Sequence, residues 1–276
     1  MTPSGQAELP ASLRHALTRA VDGAPTGAGA LPVIFATDNF APLLRNWLRH
    51  AEAAGVTRTL VIAMDQALHD RLGQAGIAAI RHGFDGTLGD LWYQRTLVFE
   101  WLAGQGVDFI HSDADAVWLH DPRPLCFAAG GFDLVFSQGI DYPAETWRSW
   151  GFVLCCGLFA VRANPATAAF FTAVRSVTAE LKDDQVVVNA LLEQSGLSWR
   201  SDRLDSYKLT SRRGRAFTCH QQVLPGFSER FGLNVGLLPH HRVPRLPIPG
   251  VDALVRHPAG PGDPIARLKS VGCWMD

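Results

Sequence analysis

The chain has 276 residues and a formal net charge of −1, and 47% of its residues are hydrophobic against 18% that are charged. This length and apolar content predict one large α/β domain, or at most two small ones, with a sizeable core. The near-neutral charge gives no basis for nucleic acid as a partner, and no stretch approaches the roughly 18 consecutive apolar residues of a membrane span.

The amino terminus lacks the pattern of a secretory signal, because residues 1–9 include Glu8 and no basic segment followed by an apolar core. The five cysteines are scattered without metal-ligand spacing, and Cys155 and Cys156 adjoin each other in an apolar run. This usage indicates buried thiols in a reducing compartment. We therefore expect a cytoplasmic protein.

Residues 1–30 are predicted to form an arm that contains a short helix over 11–21. Leu13, Leu17 and Val21 lie on one side of that helix, and a turn-rich linker follows over 23–29. The sequence of this arm is compatible with packing on the domain and with forming part of an interface. Residues 31–276 are predicted to form a single domain.

Strands and helices alternate from residue 31 onward. In order, the pattern predicts a strand over 31–36, a helix over 42–54, a strand over 59–64, a helix over 69–75 and a strand over 77–80. This alternation predicts an α/β domain with a mostly parallel central sheet flanked by helices and a Rossmann-like nucleotide-binding half. Asp38 and Asn39 follow the first strand, where either side chain also suits a helix N-cap.

The most informative stretch is 109–122, which follows a predicted helix over 91–104. Apolar runs enter and leave it, and Asp113 and Asp115 lie between them, at the expected carboxyl end of a buried central strand. Ligands bind at that edge of open α/β sheets, and residues two apart in extended backbone share a face. Two carboxylates held so close need a cation, and Mg²⁺ or Mn²⁺ is the natural partner.

The carboxyl-terminal half continues the alternation and carries several polar groups. Further elements are predicted as a strand over 132–137, a strand over 152–161, a helix over 165–181, a helix beginning at 184, a strand and turn over 199–209 and a strand before 257. Acidic residues such as Asp184 are favourable at a helix amino terminus, which makes capping one explanation of that residue. The basic cluster of Arg212, Arg213 and Arg215 suits a solvated surface or an anionic ligand. The Pro- and His-rich segment 239–250 indicates a rigid connection.

The stretch around Asp113 and Asp115 resembles the Asp-X-Asp signature of metal-dependent glycosyltransferases with the GT-A fold. Residues 115–122 are similar to the Asp-Val-Val-Trp-Leu-Arg-Asp-Pro pattern of the nucleotide-diphospho-sugar transferase family that includes plant rhamnogalacturonan xylosyltransferases and arabinosyltransferases. Residues 184–189 match the Asp-Gln-X-X-X-Asn helix start of that family, and His257 precedes a Gly-rich turn and Lys269 as in its late segment. The resemblance spans about residues 31–274.

This resemblance implies a role for individual residues. His257 completes a metal site with Asp113 and Asp115, and Lys269 contacts the departing diphosphate. Asp184 and Gln185 orient the sugar and, with Lys269, make up the implied catalytic residues. The implied nucleotide-sugar-binding residues are Thr37, Asp38, Arg95, Asp113, Ala114, Asp115, Gly157, Asn189 and Lys269.

Two positions depart from the family pattern. Arg95 lies about where the family usually has a Lys, and a solvated surface arginine explains it equally well. The run Cys155-Cys156-Gly157 replaces an Asn-(Thr or Ser)-Gly, which removes an amide that would touch the sugar and weakens any transfer of donor-sugar preference. The polar and aromatic loop 138–150 suits acceptor contacts or an ordered connection with packed tryptophans.

The resemblance implies a GT-A glycosyltransferase that moves a sugar, with retention, from a nucleotide-diphospho-sugar, a UDP-sugar first, to a hydroxyl acceptor. Mn²⁺ or Mg²⁺ is the implied cofactor, and the acceptor is a glycan, a lipid-linked sugar, a protein or a small molecule. One alternative is an inactive nucleotide-sugar-binding protein on the same scaffold. Another is a metal-dependent phosphohydrolase, which would place its Asp-X-Asp on the first strand and follow it with a Thr, unlike Ala116 and Val117 here.

Overall fold

The structure, a computed structural model, describes residues 9–128, 131–202, 204–248 and 250–275. The helices in these ranges are α1 (Ala11–Val21), α2 (Ala41–Ala53), α3 (Gln66–Gln74), α4 (Leu88–Gly104), α5 (Arg123–Cys126), α6 (Ala144–Trp150), α7 (Pro165–Leu181), α8 (Asp184–Gln194) and α9 (Pro264–Ser270). The strands are β1 (Leu31–Ala36), β2 (Leu60–Ala63), β3 (Ile80–Arg81), β4 (Phe109–Ser112), β5 (Val117–Trp118), β6 (Leu134–Gly139), β7 (Val153–Val161), β8 (Leu197–Trp199), β9 (Ser206–Thr210), β10 (Ala216–His220), β11 (Leu224–Ser228), β12 (Leu233–Leu237) and β13 (Val255–Arg256).

Nine of the described strands form one central sheet in the order β3-β2-β1-β4-β7-β6-β12-β11-β8. Only β7 and β11 run against the other seven, so the sheet is mostly parallel, as the sequence predicts. The short strands β5 and β13 pair with each other outside this sheet, and so do β9 and β10.

The apolar sequence of β1 explains why helices cover both faces of the sheet. Successive side chains of a strand point to opposite faces. Leu31, Val33 and Phe35 enter one buried cluster, which also holds residues of α1, α4, α7 and α8. Ile34 and Ala36 enter the other, which holds residues of α2, α3 and α9. A strand apolar on both faces is therefore buried on both.

Several predicted bounds differ from the structure. Helix α4 begins at Leu88 rather than at residue 91, because Thr87 accepts a hydrogen bond from Asp90 N and caps the helix earlier. The third strand is confined to Ile80–Arg81, and the loop 138–150 contains the short helix α6. All five cysteines are buried free thiols, which confirms the prediction for Cys155 and Cys156.

None of the helices in the described ranges combines the length and the apolar character that crossing a membrane requires.

Candidate functional site

The two aspartates lie in a turn at the carboxyl end of β4. Strand β4 ends at Ser112, and Ala116 N donates to Asp113 O at 3.0 Å to close the turn. The prediction of extended backbone through both residues is thus wrong, although their place at the strand end is confirmed. The turn rather than the pleat brings the carboxylates to one side.

Buried indole groups fix this turn from below. Trp47 Nε1 donates to Ser112 Oγ and to Ala116 O, both at 3.0 Å, and Trp118 Nε1 lies 3.2 Å from the same hydroxyl. Both tryptophans are fully buried, so their rings cannot shift without opening the core. Trp47 of α2 and Trp118 of β5 therefore hold the turn in place.

His257 meets the two aspartates from the other side. It follows β13, whose Val255 and Arg256 pair with Trp118 and Val117 of β5. Its Nε2 lies 3.3 Å from Asp115 Oδ1 and 3.9 Å from Asp113 Oδ2. One ligand atom from each of the three residues falls within 4.8 Å of the others, so the structure brings together the three predicted metal ligands.

Gly157 leaves the space in which these groups meet. A Cβ at this position would lie 2.3 Å from His257 Cε1 and 2.4 Å from Asp113 Oδ2. Its carbonyl oxygen also accepts from Asp113 N at 2.7 Å and so continues the pairing of β4 with β7. Any side chain here would displace two of the three candidate ligands.

Burial and charge act against each other in this cluster. Burial raises the pKa of Asp113, but hydrogen bonding with His111 and the charge of Arg95 bring that pKa well below its usual range. Burial also raises the pKa of Asp115, and His257 brings it below its usual value. For His257, burial and the charge of Arg245 lower the pKa, whereas Asp115 raises it, with a balance of about 9.

Arg95 connects the aspartate turn to the start of α8. Its side chain is 7% exposed, which excludes a solvated surface arginine. Nε and Nη2 donate to the carboxylate of Asp184 at 2.5 and 2.8 Å, and Nη1 donates to Asp113 Oδ1 at 3.2 Å. Burial lowers the pKa of Arg95, but Asp184 and Asp113 raise it above its usual value, so this guanidinium is charged.

His111, which the sequence analysis did not single out, supports this arginine. Its Nδ1 donates to Val33 O at 3.1 Å, and its Nε2 lies 3.4 Å from Arg95 Nη1. Burial lowers the pKa of His111, and its Nε2 also lies 3.3 Å from Asp113 Oδ1. The position two residues before Asp113 on a buried strand was the available signal.

The start of α8 separates capping from pairing. Asp183 is the N-cap, because its side chain accepts from Val186 N, whereas the carboxylate of Asp184 pairs with Arg95. Gln185 accepts from Cys156 N at 3.1 Å and donates to Tyr142 O at 2.8 Å. Asp184 and Gln185 thus join the aspartate turn, β7 and the 138–150 loop.

Asn189 lies away from the site surface. It is fully buried, and its amide exchanges hydrogen bonds with Leu154 N, Leu154 O and Gln185 O at 2.8–2.9 Å. These bonds fasten α8 to β7. The structure therefore does not bring Asn189 to a position where it meets a nucleotide sugar.

A cleft of about 190 Å³ opens beside the aspartate turn. Thr37, Phe40, Trp92 and Arg95 line it together with residues 113–115. Phe40, whose side chain is 47% exposed, and Trp92 are the aromatic residues among those that line the cleft. The structure thus brings Thr37, Arg95 and the turn together, as predicted for nucleotide-sugar-binding residues.

Asp38 is not among the residues that line this cleft. Its carboxylate accepts two bonds from Arg71, at 2.6 and 3.0 Å, and its N donates to Asp65 Oδ2 at 2.8 Å. The side chain therefore ties the end of β1 to α3, and the backbone N ties it to Asp65 beyond β2. It does not cap a helix through its side chain, since the N-cap position before this turn belongs to Thr37.

Arg267, and not Lys269, meets the aspartates. The Lys269 ammonium lies over the Trp274 ring at 5.6 Å on the exposed side of α9. Arg267 Nη2 lies 3.6 Å from Asp115 Oδ2, while Nε and Nη1 donate to Pro258 O and Gly262 O at 3.2 and 2.6 Å. The guanidinium thus fastens the Gly-rich turn next to the candidate metal ligands.

The 138–150 segment is an ordered connection that reaches the site. Tyr142 OH donates to Asp183 Oδ2 at 2.7 Å, and Trp147 Nε1 donates to Ala216 O at 2.9 Å. Arg215 lies over the Trp147 ring at 5.2 Å, and it and Arg213 lie 4.0 and 3.8 Å from the buried Asp141. The basic cluster is therefore partly neutralised by this segment.

A model of the nucleotide-diphospho-sugar transferase family matches residues 54–244, more than half of the chain. The chain belongs to the nucleotide-diphospho-sugar transferase family. A comparison with curated proteins found no match.

Several solved glycosyltransferase structures are similar to this chain. The chain is similar to the galactosyltransferase LgtC in complex with donor and acceptor sugar analogs, with 16% identity, a TM-score of 0.52 and coverage of 85% of this chain and 88% of that chain. An active-site mutant of LgtC gives 15% identity, a TM-score of 0.49 and coverage of 83% and 87%. The glycosyltransferase GlyE of Streptococcus pneumoniae TIGR4 is 10% identical, with a TM-score of 0.41 and coverage of 59% of this chain and 43% of that chain. The first of these similarities confirms the predicted GT-A fold.

GT-A transferases generally use a divalent metal, and the residues of this chain fit one. Two carboxylates and an imidazole form a donor set of hard oxygen and nitrogen atoms that suits Mg²⁺ or Mn²⁺. The space beside them is open only because residue 157 is a glycine. This transferase therefore has a candidate site for a divalent ion at Asp113, Asp115 and His257.

Acid is expected to destabilise the fold of this transferase through His240, which lies near the cluster. Its Nε2 accepts from Arg245 N at 3.2 Å, so the folded ring is neutral. Burial, followed by the charges of Arg245 and His241, lowers its pKa from 6.5 to about 4. Below pH 6.5 the unfolded chain binds a proton that the folded chain refuses until about pH 4, so the free energy of unfolding falls across this window, by about 2–3 kcal/mol.

Denaturant unfolding at pH 7.0 and 4.5 measures this loss. His240→Gln keeps an acceptor for the backbone N–H but does not titrate, so its stability should fall less over the same interval. Equal losses in the two proteins would assign the acid sensitivity to other histidines.

Proposed function

We propose that this protein is a metal-dependent glycosyltransferase that transfers a sugar from a UDP-sugar to a hydroxyl acceptor with retention of configuration. The observation that carries the proposal is the convergence of Asp113, Asp115 and His257 beside a cleft that also exposes Thr37 and the Arg95 guanidinium. The family match supports a nucleotide-sugar donor.

Asp113, Asp115 and His257 would hold the divalent ion. When bound there, Mn²⁺ or Mg²⁺ supplies Lewis-acid stabilisation of negative charge on the diphosphate. Arg267, which lies 3.6 Å from Asp115, adds positive charge on the same side. It takes the place that we expected for Lys269.

The cleft walls support the nucleotide part of the proposal. Phe40 and Trp92 offer aromatic faces on which a base stacks. The hydroxyl of Thr37 at the end of β1 offers a hydrogen-bonding group for the ribose or base. The side chain of Asp38 contributes by holding the end of β1 to α3 through Arg71.

The sugar is placed between the aspartate turn and the start of α8. Asp184 is engaged with Arg95 through both oxygens, so it orients and neutralises rather than attacks. With no free nucleophile at this point, the leaving phosphate oxygen is the group that takes the acceptor proton. Positioning by Arg95, Asp184 and Gln185 then sets the reactive geometry. The 138–150 segment, fastened to α8 through Tyr142, forms the acceptor side.

A thermal-shift screen of nucleoside diphosphates with and without Mn²⁺ tests this proposal. Ligands that bind only the folded state raise the melting temperature according to their affinity. We expect UDP with Mn²⁺ to give the largest shift, and Mn²⁺-free UDP a smaller one. A screen in which no nucleoside diphosphate shifts the protein would refute nucleotide-sugar binding.

The departure at Cys155 and Cys156 favours a second candidate, a nucleotide-sugar-binding protein that has lost turnover. Both thiols are buried, and neither offers the amide that would contact a sugar. Incubation with UDP-sugars and Mn²⁺ separates the two candidates. An active enzyme should slowly transfer the sugar to water when no acceptor is present, and so release UDP. Binding without any release over hours would favour the inactive protein.

A further inference from the structure

Arg245 is a charged residue without enough partners. Its Nε and Nη1 are buried, and within the described ranges neither meets a hydrogen-bond acceptor. Buried donors in folded proteins are nearly always paired, and a buried guanidinium is among the most costly to leave unpaired. An oxygen-bearing partner is therefore missing from this position.

The backbone of Arg245 is held against the segment that carries His257. Its N donates to His240 Nε2 at 3.2 Å, and its O accepts from Ala259 N at 2.9 Å. One residue earlier, Pro244 O accepts from His257 N at 3.4 Å. Residues 244–245 thus run alongside 257–259. The backbone of Arg245 is therefore held beside the segment that carries the candidate metal ligand His257.

The charge of Arg245 is felt by three groups of the site. Burial raises the pKa of Cys155, but Arg245 and His257 lower it to about 7. The same guanidinium acts to lower the pKa of Asp115 and opposes the rise of the His257 pKa to about 9, although burial has the larger influence on both groups. These three side chains come from different segments, so the charge of Arg245 acts on β7, the aspartate turn and the His257 segment together.

The charges of the cluster identify the missing partner. When His257 is a neutral metal ligand, the carboxylates of Asp113, Asp115 and Asp184 are matched by three guanidiniums, which belong to Arg95, Arg245 and Arg267. A divalent cation on the carboxylates leaves two positive charges uncompensated. The diphosphate of a nucleotide sugar carries two negative charges and neutralises them, whereas a second anionic group on the sugar would leave an excess.

We propose that Arg245 binds the distal phosphate of the donor diphosphate. This assignment rests on the proposed function. When the bond from the anomeric carbon to the phosphate oxygen breaks, its electron pair goes to that oxygen. A guanidinium bound to that phosphate stabilises the charge that develops, and its planar donors match phosphate geometry.

The test compares nucleoside diphosphates with monophosphates by titration calorimetry in the presence of Mn²⁺. The nucleotides are the di- and monophosphates of uridine, guanosine, adenosine, cytidine and thymidine, and the proteins are wild type, Arg245→Met, Arg245→Lys and Arg242→Met. Arg242 is the matched control, because it lies three residues away on the same segment and its Nη1 donates to Asp252 at 2.8 Å. Melting temperatures verify that each variant folds.

In Arg245→Met we expect diphosphate affinity to fall about tenfold to a hundredfold and monophosphate affinity by less than about threefold. Arg245→Lys should lie between, and Arg242→Met should match wild type. If Arg245→Met does not fold, the diphosphate-to-monophosphate ratio in Arg245→Lys decides.

Equal weakening of both nucleotides, or an unchanged ratio in Arg245→Met and Arg245→Lys, would reduce Arg245 to a structural residue. If wild type binds no nucleoside diphosphate, the proposed function fails and this assignment fails with it. If wild type binds and the ratio does not move, only the assignment of Arg245 fails.

Discussion

Asp115→Asn is expected to lower transfer activity by at least about a hundredfold and to remove Mn²⁺-dependent nucleotide binding. The substitution takes away a charged ligand that faces His257 Nε2 at 3.3 Å and Arg267 Nη2 at 3.6 Å. It leaves a neutral amide between positively charged groups, so the site loses affinity for a divalent cation. Release of UDP from UDP-sugars and calorimetric titration of UDP with and without Mn²⁺ measure the two effects.

The fold should survive this change, because the turn is held from below by Trp47 and Ser112 rather than by the carboxylate. We expect the free energy of unfolding to change by no more than about 1 kcal/mol. Asp252→Asn is the matched control, since this carboxylate is 76% exposed and pairs with Arg242 on the surface. Mn²⁺-dependent UDP affinity that persists unchanged in Asp115→Asn would refute the metal assignment.

The sequence predicts a helix or strand well when its apolar residues form one face or one continuous buried segment. Strand β1, helix α1 and helix α7 have the predicted bounds, because their apolar residues recur with a single period. The aspartates were placed correctly at a strand end for the same reason. Their turn was not predicted, because it depends on indole N–H groups of Trp47 and Trp118 that reach Ser112 from two other segments.

Site residues that follow directly after a predicted strand could be placed from the sequence. Site residues whose position depends on contacts with distant segments could not. Arg267 and Lys269 lie in one helix, about 200° apart around its axis, and the sequence does not tell which faces the site. Burial of Leu268 settles this, because it turns Arg267 toward Asp115 and Lys269 toward Trp274. Arg245 was missed because its position follows from pairing with the segment beyond His257.

Asp184→Ala is expected to destabilise the protein by about 3–5 kcal/mol, because it leaves the buried charge of Arg95 without its main partner. The sequence indicates only sugar orientation or helix capping for this residue, and neither would leave a buried charge unpaired. Capping belongs to Asp183, whose removal as Asp183→Ala should cost only about 1 kcal/mol. Comparing the two variants by denaturant unfolding therefore separates the ion pair from the cap.

Because Asp184→Ala confounds stability with catalysis, Asp184→Asn is the informative variant for function. It keeps the volume and one acceptor oxygen for Arg95, and it removes the negative charge that balances the guanidinium. Arg95 Nη1 also donates to Asp113 Oδ1 at 3.2 Å, so an uncompensated Arg95 should draw that carboxylate away from its place beside His257. We expect turnover per folded molecule to fall by about tenfold to a hundredfold, with a smaller loss of UDP affinity. Full turnover per folded molecule in Asp184→Asn, together with reduced stability, would mean that Asp184 only anchors Arg95 and takes no part in placing the sugar.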